Sequence, residues 1–143
     1  MLETISGREF TKKVIPLIEQ AKQSIDIVVF DWRWYPSDPG AACQLFNQAI
    51  ICARRRGVKV RALVNNGDIA AILIPEGCEA KRLVTSKLMH CKLMIIDTNT
   101  IITGSHNYSQ AAFQMNFELS VIIKNEPISP DFNSFFNNLW GLK

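Results

Sequence analysis

Hydrophobic and polar positions follow two different periods along this chain, and the switches between them mark out its elements. From Glu9 to Gln23 the apolar residues Phe10, Val14, Leu17, Ile18 and Ala21 recur at helical spacing. Ser6 and Glu9, three apart, form a capping box at its start, and Pro16 is expected to kink or shorten it. SIDIVVFDW, Ser24 to Trp32, is rich in β-branched residues and reads as a strand. After the break PSDPG, Ala41 to Arg56 predicts a second helix stopped by Gly57. VKVRALV, Val58 to Val64, then alternates as a strand up to the turn Asn65-Asn66-Gly67. A short helix follows at Asp68 to Ile74, a turn at Pro75–Gly77 and a strand near Ala80–Val84. Lys92–Asp97 and Thr100–Thr103 read as paired strands joined tightly at Thr98-Asn99. Glu118–Lys124 is a further strand and Asp131–Trp140 a closing helix. Strands alternating with helices predict an α/β fold with a mixed, largely parallel central sheet flanked by helices, antiparallel near the Asp97 turn.

At 143 residues the chain is expected to form a single domain, residues 1–143, with a core of its own. No apolar run approaches the roughly 18 residues that span a bilayer. MLETISGREFTKKV lacks the basic-then-apolar pattern of a signal peptide. A cytoplasmic protein is expected, with the periplasm open if a leader was removed. Cys43, Cys52, Cys78 and Cys91 include no C-x-x-C pair, which speaks against a zinc site, and no metal or other cofactor is expected. The apolar surroundings of Cys43, Cys52 and Cys91 suit reduced thiols in a core; spacing leaves disulfides open.

Net charge is only +3, but it is unevenly spread. The stretch from Arg54 to Lys92 carries Arg54, Arg55, Arg56, Lys59, Arg61, Lys81, Arg82, Lys87 and Lys92 against Asp68, Glu76 and Glu79. Such polarity favours an anionic partner. The plainer reading of Arg54, Arg55 and Arg56 is that they complement the carbonyl end of their helix.

The stretch HCKLMIID, His90 to Asp97, sets two cations ahead of a run made for burial. Lys is among the residues least often fully buried unless paired. His90 and Lys92, two apart at a strand start, emerge on one face, whereas Asp97 has the opposite parity and is expected to tie down the following turn. In TGSHNYS, extended geometry puts Ser105 and Asn107 on one side and His106 on the other, and Glu118 opens the next strand. Taken singly, each has a structural reading: a satisfied histidine, a snorkelling lysine, turn residues, a strand-end acid.

Together these residues resemble the signature of the phospholipase D superfamily: H-x-K-x-x-x-x-D at His90, Lys92 and Asp97, then G-S-x-N at Gly104, Ser105 and Asn107, then Glu118 at the head of a strand. The resemblance covers most of the chain. The motif occurs once, as in the small single-motif bacterial endonucleases of the Nuc type, and this implies a homodimer whose subunits join their motifs at one active site. A metal-free phosphodiester displacement needs a nucleophile, a proton for the leaving oxygen and cationic donors. One histidine cannot serve as nucleophile and acid in the same step, and His106 has the wrong parity to help. The family's mechanism maps His90 as the nucleophile that forms a phosphohistidine, with the partner's His90 as the acid. Lys92 and Asn107 then hold the phosphoryl oxygens, assisted by Ser105, and Glu118 accepts a hydrogen bond from the other ring nitrogen of His90.

The superfamily includes both nucleases and lipid phosphodiesterases, so the fold does not choose the substrate. The single motif and the basic segment favour nucleic acid, DNA or RNA. The cluster DWRWYP offers Trp32, Trp34 or Tyr35 for base stacking and Arg33 for a phosphate, with Arg54, Arg55 and Arg56 as further contacts. Core or subunit interface is the competing reading of those aromatics, which depart from the small polar residues of the nuclease relatives. A lipid substrate at a membrane surface is the alternative; the sequence carries no anchor, lipidation signal or basic amphipathic helix for it. A binding module without turnover is the third.

Overall fold

The computed structural model describes residues 1–142. Its core is a seven-stranded sheet in the order β1-β7-β6-β5-β2-β3-β4. The strands are β1 (Leu2–Ser6), β2 (Ser24–Val29), β3 (Lys59–Val64), β4 (Glu79–Arg82), β5 (Lys92–Ile96), β6 (Thr100–Gly104) and β7 (Leu119–Lys124). The helices are α1 (Glu9–Glu19), α2 (Ala42–Arg55), α3 (Gly67–Leu73), α4 (Gln110–Gln114) and α5 (Ser129–Trp140).

The mixed α/β expectation holds, but parallel pairing is the minority. Only β2–β3 and β3–β4 run parallel; the other four pairings are antiparallel. Parallel neighbours require a crossover, and β2-α2-β3 provides one. β5 and β6 are instead a hairpin, and β7 returns through the short α4 to pair antiparallel with β6. The sequence reading also omits β1, an edge strand in which only Ile5 is buried, and the five-residue α4.

Alternation sorts the strand residues between two cores. Ile25, Ile27, Val29, Met94, Ile96 and Ile102 face one side, where Phe10, Phe46 and Phe113 from α1, α2 and α4 cover them. Val28, Leu63, Leu93, Ile95 and Ile101 face the other, which Phe136 of α5 covers. The buried Asp26 carboxylate pairs with Arg61 on this second face, with Oδ1 to Nε at 2.7 Å and Oδ2 to Nη2 at 2.8 Å. That guanidinium also donates to Asn137 (3.1 Å) and lies 4.9 Å from the Phe136 ring centre, which anchors α5 to the sheet.

α1 ends at Glu19, short of the expected Gln23, and accommodates Pro16. Glu9 does reach back to the Ser6 backbone N–H (2.9 Å), but the Ser6 hydroxyl donates to the same carboxylate oxygen instead of accepting from the helix, so the capping box is half made. Lys22, Gln23 and Ser24 leave α1 with free N–H groups, and all three donate to the Asp97 carboxylate, at 2.7 to 3.2 Å. Asp97 therefore secures the entry to β2 and not its own turn, correcting the sequence expectation. Burial opposes ionisation of Asp97, yet these donors hold its carboxyl below the ordinary range. The hairpin turn is centred one residue earlier than expected, on Asp97 and Thr98, both with positive φ.

Candidate active site

Strand direction brings the motif together. β2, β3, β4 and β6 all end at the edge of the sheet where β5 and β7 begin. His90 and Lys92 enter β5 there, Gly104 and Ser105 leave β6, and Glu118 precedes β7. The segment after β6 runs back beside the exit of β2: Tyr108 N–H donates to Asp31 O (2.9 Å), Arg33 N–H donates to Tyr108 O (2.8 Å), and Trp32 bridges Tyr108. One sheet end thus gathers every motif residue except Asp97, which sits at the opposite end of β5.

His90 is exposed and its ring leans on Phe30, with centroids 4.6 Å apart. Lys92 Nζ lies 3.1 Å from His90 Nδ1 and 3.5 Å from Nε2, and donates to the His90 carbonyl at 3.1 Å. The shared face expected from their spacing is therefore realised in contact. Asn107 Oδ1 accepts from the Asp31 N–H at 3.2 Å. That bond fixes the amide orientation and leaves its NH₂ as the free end, a donor for an anion.

Ser105 and Glu118 are joined to each other. The Ser105 hydroxyl donates to Glu118 Oε1 at 2.6 Å and accepts from the Leu119 N–H at 2.9 Å. Asn116 donates to the other Glu118 oxygen at 3.0 Å. Within one chain Glu118 bonds Ser105 and Asn116 and makes no hydrogen bond to His90. Gly104 has φ +153°, and a Cβ there would lie 2.4 Å from Ser120 Cα and 2.5 Å from Leu119 O. Only glycine lets β6 and β7 meet this closely.

The second histidine is committed to the fold. His106 is buried, stacks near Phe10 (4.6 Å), and bonds Ser120 Oγ (2.7 Å) and Gly7 O (2.9 Å). The carbonyl acceptor places its proton on Nε2, so Nδ1 accepts from the serine hydroxyl. Burial lowers its pKa.

Several proposed substrate contacts lie elsewhere. Trp32 is wholly buried and donates Nε1–H to Asn47 (2.8 Å), so it cannot stack on a base. Trp34 is half-buried beside it. Arg54, Arg55 and Arg56 stand at the end of α2 that feeds the start of β3, the far end of the sheet. There they bond Gly77 O, Glu76, and the Ile18 and Ala21 carbonyls. Capping and bracing is their role. Arg33 remains at the site end, exposed and paired with Asp31 (2.9 Å).

Sequence reasoning overlooked Asn65, taken only as a turn residue. Its amide donates to Phe30 O and Met89 O, both at 3.0 Å, so it clamps the aromatic support of His90 to the residue preceding it. Its place at the end of a strand adjoining the motif strand's neighbour was the available signal. Two clefts flank the histidine. One, of about 550 Å³, is lined by His90, Lys92, Leu93, Thr103, Phe132 and Phe135; the other, of about 830 Å³, lies outside the ends of β2, β3 and β4. All four cysteines are free, with Cys52 exposed against expectation.

The family model described as "Cardiolipin synthase, PLD-like domain" matches residues 14–140. The chain belongs to the PLD-like domain family. The fold agrees: Nuc from Salmonella typhimurium, a phospholipase D family member, superposes with a TM-score of 0.80 at 25% identity, covering 98% of this chain and 95% of that one. NucT from Helicobacter pylori has the same PLD-like fold, with a TM-score of 0.75 at 18% identity over 98% of this chain and 95% of its own. Among curated relatives, the mitochondrial cardiolipin hydrolase of Xenopus tropicalis is 26% identical over 134 residues, 90% of this chain and 60% of that protein. The phospholipase D of Rickettsia prowazekii is 30% identical over 128 residues, 85% of this chain and 58% of that protein. The chain spans between about a quarter and 60% of the length of such curated relatives. Among the described residues no helix is long and apolar enough to cross a membrane. Nor does any group of three or more His, Cys, Asp or Glu stand ready to hold a metal ion.

Proposed function

We propose that this PLD-like chain is a metal-independent phosphodiesterase that cleaves nucleic acid, with one active site shared by two copies. The observation that carries this reading is the contrast between its histidines: His90 is exposed beside Lys92, while His106 is sealed in the core. In the first step His90 attacks phosphorus, a P–N bond forms, and the bond to the leaving oxygen breaks. The partner subunit's His90, entering protonated, gives that oxygen its proton. The same imidazole, now neutral, takes a proton from water; the water oxygen attacks phosphorus and the P–N bond breaks. Lys92 and the free amide of Asn107 hold the non-bridging oxygens. Ser105 positions Glu118, whose approach to a His90 ring belongs to the assembled pair and not to one chain.

The α5 side of the sheet supports the pairing. Leu119 shares a face with Ile123, which packs against the α5 core, and the register Leu2↔Ile123 puts Leu2 there too. Yet Leu119, at the site end of β7, is 59% exposed and Leu2, at its far end, 68%, while Ile128 and Phe135, which line the smaller cleft with His90, are 47% and 44% exposed. A second copy seated on this apolar face adjoins both His90 side chains.

Cleavage of labelled single- and double-stranded DNA and RNA in excess EDTA tests the reading, comparing the parent with His90→Ala. Parent cleavage is expected, reduced by at least about a thousandfold in the mutant. Absence of cleavage on every nucleic acid, with hydrolysis of phospholipid vesicles, overturns it in favour of a lipid substrate.

A further inference from the structure

The larger cleft is more than a single scissile phosphate requires. It holds about 830 Å³ and opens outside the carboxyl ends of the parallel strands β2, β3 and β4, where α/β sheets leave room for ligands. It adjoins the histidine through two of its neighbours. Phe30, which supports the His90 ring, forms one wall, and Met89, the residue before His90, another.

Its lining is amphipathic in a particular way. Asn65, Asn66 and Arg82 line it beneath a lip made by the connection from β4 to β5, which carries Lys87. Val84 and Leu88 on that lip are each 71% exposed. Arg82 is exposed and donates Nε–H to Asn65 O (2.9 Å), and among the described residues its two terminal nitrogens meet no protein acceptor. Among the described residues no carboxylate forms an ion pair with Arg82 or Lys87. Of the two acids on the rim, Asp31 is already paired with Arg33, leaving Asp68 alone in opposition.

We infer that this cleft is a subsite for the strand beside the scissile bond, with Arg82 and Lys87 on a flanking phosphate and Val84 and Leu88 against the attached sugar and base. The inference rests on the nuclease reading above. Two cations at the mouth, with polar side chains below them, suit a phosphate with an attached nucleotide; an acyl chain requires an apolar lining through its depth. The consequence is selectivity for polymer over small diesters.

The test compares kcat/KM for a fluorescent single-stranded oligonucleotide with kcat/KM for bis(p-nitrophenyl) phosphate, which presents one phosphate only. Three proteins are measured: the parent, Arg82→Gln/Lys87→Gln, and the charge-matched control Lys12→Gln/Lys59→Gln, whose positions lie on α1 and at the far start of β3. The oligonucleotide-to-small-diester ratio is expected to fall about tenfold in the cleft variant, mainly through KM, and to stay at the parent value in the control. The salt dependence of log KM should flatten by about 1.4, two contacts at about 0.7 each. A cleft variant with the parent ratio overturns the subsite while leaving the nuclease reading intact, and so does an equal fall in the control. Hydrolysis of the small diester with no oligonucleotide cleavage by the parent overturns both. If phosphatidylglycerol vesicle binding is then lost in the cleft variant, the cleft serves a lipid surface.

Discussion

His90 and His106 are the same residue type sixteen positions apart, and their surroundings give them opposite uses. His106 spends both ring nitrogens on Ser120 and Gly7 inside the aromatic cluster, so His106→Gln should cost about 1–3 kcal/mol of stability while hydrolysis persists. The sign of its pH effect follows from the lowered pKa. The unfolded chain takes up this proton near pH 6.5 and the folded chain only at lower pH, so the contribution is complete above about 6.5 and fades as pH falls. Urea titrations at pH 7.5 and 5.5 should show a smaller drop for His106→Gln than for the parent. A drop of the same size would sink this account. The parity of an extended TGSHNYS anticipated that separation. It could not reveal that the Ser105 hydroxyl is spent on Glu118 and a backbone N–H, nor that Trp32 finds Asn47 in the core, because those partners come from other elements.

At the scale of elements, two joints hold the site's frame. The first is the β6–β7 contact at Gly104. Gly104→Ala places a methyl group against Ser120 and Leu119 backbone in a conformation that disfavours side chains. It should cost about 2–4 kcal/mol, read as a lower urea midpoint. The second is the Asp26–Arg61 pair beneath α5. Asp26→Ala strands a guanidinium on the sheet and should cost about 3–5 kcal/mol, while Asp26→Leu/Arg61→Met recovers much of the loss; equal losses in single and double variants would contradict this. Helix and strand positions were largely legible because α2, β2 and β3 have strong periodicity. β1 was not, since LETIS buries one residue and is a strand only because β7 offers it an edge. Parallel pairing was overestimated for a similar reason: alternating elements suggest crossovers, whereas the hairpin and the short α4 reverse the chain.

For the whole molecule, activity should belong to the pair and not to the chain. Leu119→Asp puts a charge on the exposed apolar face without touching the core. The proposal expects a monomer by light scattering, a native circular dichroism spectrum and a loss of at least about a hundredfold in kcat. A fully active monomer would separate catalysis from assembly and leave the second histidine unexplained. The basic segment illustrates how far charge counting reaches. It pointed to an anionic partner, but Arg54, Arg55 and Arg56 proved to brace the far end of the sheet, while Arg82 and Lys87 stand at the site end. Only the topology could divide them.

The pairing of β1 with β7, Leu2 against Ile123, bears on how the chain is made. During synthesis β1 leaves the ribosome well before β7, its one sheet neighbour among the described residues, which emerges more than a hundred residues later. Closing so long a loop adds entropy cost before any contact rewards it. Until then the edge of β7 is open to strands from other chains. Aggregation during crowded expression is therefore the expected weakness of this fold. Lower expression levels should then raise the folded yield, by letting β1 reach β7 before another chain does.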